Sequence, residues 1–304
     1  MNITIVLVTY NRINDLKKTL KCYSEQTLQP SCIVVVNNAS KDETEVFLEE
    51  WKNEKESFEK VVINSSRNLG GAGGFALGIK EALHKDCEYV FISDDDAYPE
   101  INMLESLASG VQEKMDSNIV AFCTTVINNG RIDVMHRRKA ITKYGFMIKD
   151  NPIEENEYHK QCFNLDYLTF VGSLIKKDVI EKVGLPRDDY FIREDDAEYS
   201  LRLRKEGSIV CITNSIMHHD TGFSSKEWLD YYTIRNNLNN VNMYFGKSYL
   251  FYAKLIWYIK RCSILAKFLK GRSDRYRSMC KDAIKDAKNG VTGFNQLYSS
   301  STQL

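Results

Sequence analysis

The sequence has little proline, no closely spaced cysteines and no long apolar run. Its 304 residues include four prolines and eight cysteines, and the cysteines are scattered without a CxxC pair. This spacing excludes the common zinc sites and disulfide frameworks and is typical of free thiols in a reducing cytoplasm. The N-terminus lacks the charged start and long apolar core of a signal peptide. Because no stretch of about 18 uncharged apolar residues occurs, the sequence predicts no membrane-spanning helix.

The chain also lacks net charge, because 41 basic residues balance 41 acidic ones. The balance is local only in part, since residues 247–288 carry twelve Lys and Arg against three Asp. Residues 249–269 combine these basic residues with many aromatic ones, a composition typical of a helix on an anionic membrane surface. A core helix or a helix between identical chains is the alternative. No nucleic-acid partner is expected.

Strand-like and helix-like segments alternate four times in the first hundred residues. Each strand candidate is a short, β-branched run, and the four are ITIVLVTY, SCIVVVNNAS, KVVINSS and EYVFISDDDA. This order predicts an α/β fold with a Rossmann-like, mostly parallel central sheet flanked by helices. After residue 100 we expect further strands in 118–128, 165–177 and 208–219, a helix from residue 195, and mostly helix from residue 226.

Polar residues close each of the first four strands. In an open α/β sheet, ligands bind where parallel strands end, at the carboxyl edge. The sequence therefore predicts a binding site built from four clusters: Thr9–Arg12, Asn37–Asn38, Arg67–Asn68 and Asp94–Asp96.

Three consecutive aspartates follow the fourth strand. Side chains alternate along a strand, so Asp94 and Asp96 should face one side and Asp95 the other. Two converging carboxylates favour Mg²⁺ or Mn²⁺, which also accept phosphate oxygens, whereas a solvated acidic loop is the alternative. We expect the repulsion within the triplet to be relieved only when a divalent cation arrives with a nucleotide diphosphate.

A glycine-rich stretch, NLGGAGGFALG, precedes the third helix. Such glycines let backbone N–H groups approach a phosphate or sugar, and we expect a loop at Gly70–Gly74. A P-loop is excluded because Ile79 stands where lysine is required. Gly71–Ala76 satisfies GxGxxG/A, which makes an NAD-dependent oxidoreductase the alternative from another class. That class expects its glycines after the first strand, where this chain has Thr9–Arg12.

Three later segments offer further site residues. Asp195 and Asp196 open a predicted helix, as a general base would or as charges favoured by the helix dipole. Of His218 and His219, which point apart on an extended chain, one is expected to bind metal or pack. An aromatic segment suits a sugar and a phosphate, or the core of a helix; its members are Trp228, Tyr231, Tyr232, Arg235 and Asn236.

Six segments in this order resemble the family 2 glycosyltransferases, which have the GT-A fold. They cover residues 3–240 and read VTYNR, VVNNAS, RNLGGAGGFALGI, ISDDDA, REDDAEYSLRLRKEG and HHDTGFSSKEWLDYYTIRN. Within the family the chain is most similar to bacterial galactofuranosyltransferases, and the rhamnosyltransferases are close relatives. The resemblance implies a catalytic domain at 1–240, with a nucleotide-sugar half (1–100) and an acceptor half (101–240). A basic, aromatic, helical C-terminal region follows at 241–304.

The resemblance also implies individual roles. The nucleotide and diphosphate-sugar residues would be Thr9, Tyr10, Arg12, Asn37, Arg67, Asn68, Gly70, Gly71, Gly73, Asp94 and Asp95. Asn37 stands where the family usually has an aspartate. The metal ligands would be Asp94, Asp96 and His218, with His219 as the second candidate. Asp196 would be the catalytic base, with Asp195 beside it. The acceptor and donor-phosphate side would be shaped by Trp228, Tyr232, Arg235 and Asn236.

The function implied is an inverting, metal-dependent transfer of a sugar from a UDP-sugar, with Mn²⁺ or Mg²⁺ as cofactor. The expected donor is UDP-galactofuranose, and dTDP-rhamnose is the alternative. The expected acceptor is a hydroxyl of a growing, lipid-linked cell-surface polysaccharide. We expect a cytoplasmic enzyme, peripheral on the inner face of the plasma membrane, and leave homo-oligomerisation open.

Overall fold

The structure is a computed structural model that describes residues 1–114, 118–143, 147–220, 226–263 and 271–299. Two of the expected segments therefore lie partly outside the described residues. These are residues 221–225, between the histidine pair and the aromatic segment, and residues 264–270 of the basic, aromatic stretch. Residues 300–304, at the end of the expected C-terminal region, also lie outside them.

The first hundred residues alternate strand and helix as the sequence predicts. The elements are β1 (Ile3–Thr9), α1 (Ile13–Ser24), β2 (Cys32–Asn37), α2 (Thr44–Asn53), β3 (Glu59–Asn64), α3 (Gly70–Ala82) and β4 (Tyr89–Asp94). Strands β1 and β2 are buried almost throughout, because helices cover both faces of the sheet. This is why both strands read as continuous β-branched runs.

The next hundred residues add the second half of the sheet. Its elements are β5 (Tyr98–Pro99), α4 (Met103–Glu113), β6 (Ile119–Asn128), β7 (Arg131–Ile132), β8 (Arg138–Lys143), β9 (Met147–Pro152), β10 (Cys162–Leu165), β11 (Ser173–Lys176), α5 (Lys177–Val183), α6 (Asp195–Glu206) and β12 (Ser208–His218). One expectation is wrong in extent. Of the strand expected at 165–177, residues 166–172 are irregular and only the flanking Leu165 and 173–176 pair in the sheet.

The main sheet runs in the order β10-β12-β6-β11-β4-β1-β2-β3. Strands β3, β2, β1 and β4 are parallel neighbours, β12 is parallel to β6, and β11 is antiparallel to both β4 and β6. The mostly parallel sheet is thus confirmed, and its carboxyl edge collects the ends of β1, β2 and β4. Strands β8 and β9 form a separate hairpin.

From residue 226 onward the described part of the chain is mostly helical, as expected. It contains α7 (Leu229–Tyr244), α8 (Lys247–Trp257), a π-helical turn (Tyr258–Cys262) and α9 (Asp274–Lys288). Helices α7 and α9 share an apolar core with Phe191, which lies before α6. Within the described residues, no helix is long and apolar enough to cross a membrane.

The glycine-rich stretch differs from the loop that we expected. Helix α3 already begins at Gly70, so these glycines form its first turns. A Cβ at Gly74 would lie 2.5 Å from Cγ1 of Val8, and one at Gly78 would lie 2.5 Å from Cγ1 of Val6. These two glycines therefore serve close packing of helix on strand, which brings the N-terminus of α3 to the carboxyl edge.

Candidate active site

The aspartate triplet lies where β4 ends, with Asp94 the last residue of the strand and Asp95 and Asp96 in the following turn. The alternation predicted from the strand persists into this turn. Asp94 and Asp96 both approach His219, whose Nε2 is 4.0 Å from Asp94 Oδ2 and 3.1 Å from Asp96 Oδ1. Asp95 is buried instead, with 3% of its surface exposed.

Arg12 already compensates part of the triplet's charge. Its Nη1 lies 3.2 Å from Asp95 Oδ1 and 2.5 Å from Asp96 Oδ2. The expectation that a cation alone relieves the repulsion is therefore wrong, because the end of β1 supplies a guanidinium to two of the three carboxylates. Asp94 is left with the weaker share of this compensation.

The pKa values follow from this division. Burial and the nearby charge of Asp96 raise the pKa of Asp94. Burial raises the pKa of Asp95 to about 7, although Arg12 opposes the shift. Burial alone would also raise the pKa of Asp96, but its hydrogen bond to His219 and the charge of Arg12 lower it overall. The site is thus short of positive charge at Asp94.

The histidine beside the triplet is His219, not His218. Strand β12 pairs with β5 so that His218 lies opposite Tyr98, and the His218 side chain turns outward to Glu100, at 3.0 Å. His219 is 7% exposed, and its ring packs edge-on against His136 at 5.5 Å between centroids. Burial, together with the charge of Arg137, lowers the pKa of His136 to about 3, so this neighbour stays neutral.

Asp94, Asp96 and His219 have ligand atoms within 4.8 Å of one another. Two carboxylate oxygens and one imidazole nitrogen suit Mn²⁺ or Mg²⁺, which favour oxygen donors and accept nitrogen. A cation would also remove the energetic penalty that raises the pKa of Asp94. On donor chemistry and charge, these residues fit a divalent metal.

The asparagines at the end of β2 are occupied with protein contacts. Asn37 is 2% exposed, donates to Asn64 Oδ1 at 3.0 Å and accepts from the backbone N–H of Ser40. Asn38, also 2% exposed, donates to Asn68 Oδ1 and Gly70 O and accepts from the backbone N–H of Leu69. Both residues therefore shape the edge of the sheet. The amide group of Asn37, which was expected to contact the nucleotide, already bonds to Asn64 and Ser40.

The expected donor residues differ in what surrounds them. Gly71 faces open space, whereas a Cβ at Gly70 would lie 1.9 Å from the carbonyl oxygen of Phe191 and one at Gly73 would meet Leu69. Thr9 is 1% exposed, and its hydroxyl acts on Asp95, where it opposes the rise in the pKa of that carboxyl. Arg67 is exposed at the rim. Gly71 is thus the glycine whose backbone a ligand can approach.

Asp195 and Asp196 begin α6, directly after residues 190–194, which we call the acid loop. Asp195 is buried, and burial together with the charge of Asp196 raises its pKa well above the ordinary value. Burial also raises the pKa of Asp196, while the positive charge of Arg138 opposes the shift. The charge of Asp196 in turn contributes to the raised pKa of Asp94, so the start of α6 lies close enough to the triplet for their charges to interact.

The aromatic segment was expected to line this site, but most of it is turned into the protein core. Tyr232, Arg235 and Asn236 are completely buried, and their polar atoms bond to protein. Trp228 is partly buried and packs edge-on against Tyr232. The competing interpretation, a helix that packs its aromatic face into the core, is the one that the structure supports for Tyr232, Arg235 and Asn236.

Sequence reasoning missed Arg138 and His136. Arg138 begins β8 and forms an ion pair with Asp150. Its positive charge opposes the rise in the pKa of both Asp196 and Glu194. Neither residue belongs to a run of polar residues at the end of a predicted strand. The one available signal was the pair His136–Arg137 within an otherwise unassigned stretch, and it was too weak to use.

A family model described as "Glycosyl transferase family 2" matches residues 4–184. Galactofuranosyltransferase GlfT1 of Mycolicibacterium smegmatis is 26% identical over 218 residues, which cover 70% of this chain and 69% of that enzyme. The dTDP-rhamnosyl transferase RfbF of Shigella flexneri is 28% identical over 226 residues, which cover 74% of this chain and 71% of that protein.

Among solved structures, that of GalNAc-T7 with UDP, GalNAc and Mn²⁺ superimposes with a TM-score of 0.62 at 14% identity. The match covers 95% of this chain and 56% of that one. At this identity the likeness concerns the fold alone, and that fold is GT-A.

Proposed function

The chain belongs to glycosyl transferase family 2 and has the GT-A fold, and from this premise we propose that it is an inverting, metal-dependent galactofuranosyltransferase. The proposed donor is UDP-galactofuranose, and the proposed acceptor is a hydroxyl of a growing, lipid-linked cell-surface polysaccharide. The observation that carries the proposal is the convergence of Asp94, Asp96 and His219 at one sheet edge with Asp196 nearby.

The residues divide the chemistry between them. Asp94, Asp96 and His219 would hold Mn²⁺ or Mg²⁺, which when bound supplies charge neutralisation for the departing nucleoside diphosphate. Asp196 accepts the proton of the acceptor hydroxyl while that hydroxyl attacks the anomeric carbon. Because attack and departure occur on opposite faces in one displacement, the anomeric configuration inverts.

The donor end of the pocket follows from the carboxyl edge. Gly71, in the first turn of α3, faces open space, and Thr9 is the last residue of β1. We assign the nucleotide to this edge, with Tyr10, Arg67 and Asn68 along its rim. Arg12 forms ion pairs with Asp95 and Asp96. We assign it a position facing the diphosphate.

Rhamnosyl transfer from dTDP-rhamnose is the second candidate, and the similarity to RfbF favours it. The oxidoreductase alternative is not retained, because family membership accounts for the chain and the glycines follow β3 rather than β1. The two transferase candidates share every residue discussed above and differ in the donor.

A screen of nucleotide sugars with Mn²⁺ or Mg²⁺ tests the function. We expect release of UDP from UDP-galactofuranose to exceed release from the other donors and to stop when EDTA removes the metal. UDP with Mn²⁺ should raise the melting temperature, and NAD should not. Turnover of dTDP-rhamnose alone would replace the proposed donor with the alternative, and full turnover in EDTA would refute the metal requirement.

We also propose that α8 holds the enzyme on the anionic inner face of the plasma membrane. Phe251, Leu255 and Ile259 recur at helical spacing and expose 62%, 45% and 49% of their surfaces. The exposed Lys247 and Lys260 flank them. An apolar face bordered by cations suits anionic headgroups and the acyl chains below them.

Replacing both Phe251 and Leu255 with aspartate is expected to abolish co-sedimentation with vesicles of phosphatidylglycerol, because it puts charge on the apolar face. Val46→Asp, at an equally exposed position of α2, is the matched control and should leave vesicle binding unchanged. Equal sedimentation of the double variant and the control would contradict the membrane proposal. A wild-type dimer that the double variant converts to monomer would instead assign this face to a second copy of the chain.

A further inference from the structure

The acid loop holds an unusual backbone. Phe191, Arg193 and Glu194 have φ values of 66°, 69° and 67°, although none of them is glycine. Side chains other than glycine rarely adopt positive φ, and three such residues in four positions must be held by their surroundings. The loop ends at Asp195 and Asp196, so whatever holds it also sets the position of the proposed base.

The surroundings that hold it belong to α7. Asn236 is fully buried, and its Nδ2 group points at three backbone carbonyl oxygens of the loop. These are Arg193 O at 2.9 Å, Ile192 O at 3.1 Å and Tyr190 O at 3.2 Å. The amide oxygen of Asn236 accepts from Arg235 Nε at 2.9 Å, which fixes the direction in which the amide points.

Neighbours on α7 complete this arrangement. Arg235, also fully buried, donates to Tyr190 O and to Gly293 O. Asn240 donates to Glu194 O at 3.1 Å, and Asn237 donates to the Glu194 carboxylate at 3.0 Å. Apart from that of Phe191, the loop's carbonyls thus find donors on one helix, in a region where few other partners could replace them.

The opposite side of the loop supports the donor pocket. The carbonyl oxygen of Phe191 accepts from the backbone N–H of Ala72, in the first turn of α3. Gly70 approaches the same carbonyl so closely that no side chain fits there. The loop is therefore fixed between α7 and the helix that faces the proposed nucleotide site.

We propose that Asn236 is a positioning residue, which places Asp196 by holding the carbonyls of the acid loop and touches neither donor nor acceptor. This inference rests on the proposed role of Asp196 as catalytic base. It replaces the substrate contact that the sequence had suggested for Arg235 and Asn236.

Asn236→Asp tests the proposal, because aspartate keeps the shape of the side chain but has no N–H group to donate. We expect faster hydrogen exchange at the amides of residues 190–195. We also expect kcat for the best nucleotide sugar of the screen to fall about 100-fold, as misplacement by an ångström does. KM for that donor and the affinity for UDP with Mn²⁺ should stay within about twofold of wild type. Asn242→Asp, at an exposed position of α7, is the matched control.

Each other result counts against the proposal. A raised KM with unchanged kcat would indicate a substrate contact, and a lower kcat with unchanged exchange would indicate a role other than positioning. Faster exchange with unchanged kcat would show that the loop need not be held. If Asn236→Asp does not fold, Asn240→Ala removes two loop contacts, to Glu194 O and to the Tyr190 hydroxyl, and should show the same pattern to a smaller degree. If the wild-type enzyme turns over no nucleotide sugar, the proposed function fails. Unchanged hydrogen exchange in Asn236→Asp would then separately refute the proposal that Asn236 holds the acid loop.

Discussion

Asp196→Asn is expected to abolish sugar transfer while UDP binding with Mn²⁺ stays nearly intact. The amide keeps the size of the side chain but cannot accept the proton of the acceptor hydroxyl, and loss of a general base costs about 10²- to 10⁴-fold in rate. The proposed donor contacts lie at the sheet edge, and Asp196 is not among them. Steady-state transfer and calorimetric titration with UDP measure the two effects.

The control for this variant is Glu206→Gln, at the other end of α6, where Glu206 pairs with Lys182. It removes a carboxylate from the same helix and should leave transfer unchanged. If Asp196→Asn still transfers sugar at a rate close to wild type, another group is the base. Because burial raises the pKa of Asp196, transfer should decline as pH falls through a value above the ordinary 3.8.

Asp96→Asn is expected to weaken Mn²⁺ binding in the presence of UDP by roughly 100-fold or more, beyond the loss usual for residues that only support a ligand. It removes the carboxylate that lies nearest His219 and also bonds Arg12. Asp95→Asn should have a smaller effect, because Asp95 faces away from the proposed ligands. Titration of Mn²⁺ followed by its electron paramagnetic resonance signal measures both variants.

The two histidines supply a matched pair for the same titration. His219→Ala should weaken Mn²⁺ binding strongly, whereas His218→Ala should not, because the His218 ring turns to Glu100. The reverse order would restore the ligand that the sequence resemblance implied. Equal losses from Asp95→Asn and Asp96→Asn would refute the division of the triplet.

Much of the fold and part of the site could be predicted because they depend on local patterns. Continuous apolar runs identify β1, β2 and β4, and the polar residues that end them fall at one edge by the geometry of parallel strands. The alternation of side chains also separated Asp95 from Asp94 and Asp96, even though the strand stops at Asp94.

The remainder depends on contacts between distant segments, which local patterns do not contain. The pairing of β12 with β6 and with the two-residue strand β5 places His218 and His219 here, and it is His219 that turns inward. Asn236 looks like a binding residue in sequence, because an amide that serves a ligand and one that serves buried carbonyls have the same composition. The first turn of α3 was mistaken for a loop because Gly70–Gly74 were read as ligand contacts, although Gly74 packs against Val8.

The hydrogen bonds that hold the acid loop, which we call its frame, also have a consequence for the order in which parts of the protein are synthesised. Arg235 bonds Gly293 O, and the backbone N–H of Gly293 bonds Asp189 O, so part of the frame is encoded 104 residues after Asp189. At translation rates of about 5–20 residues per second, the ribosome reaches that codon roughly 5–20 seconds later. The sheet edge that faces the proposed nucleotide site can therefore form on the nascent chain well before the loop that precedes Asp196 acquires its full support.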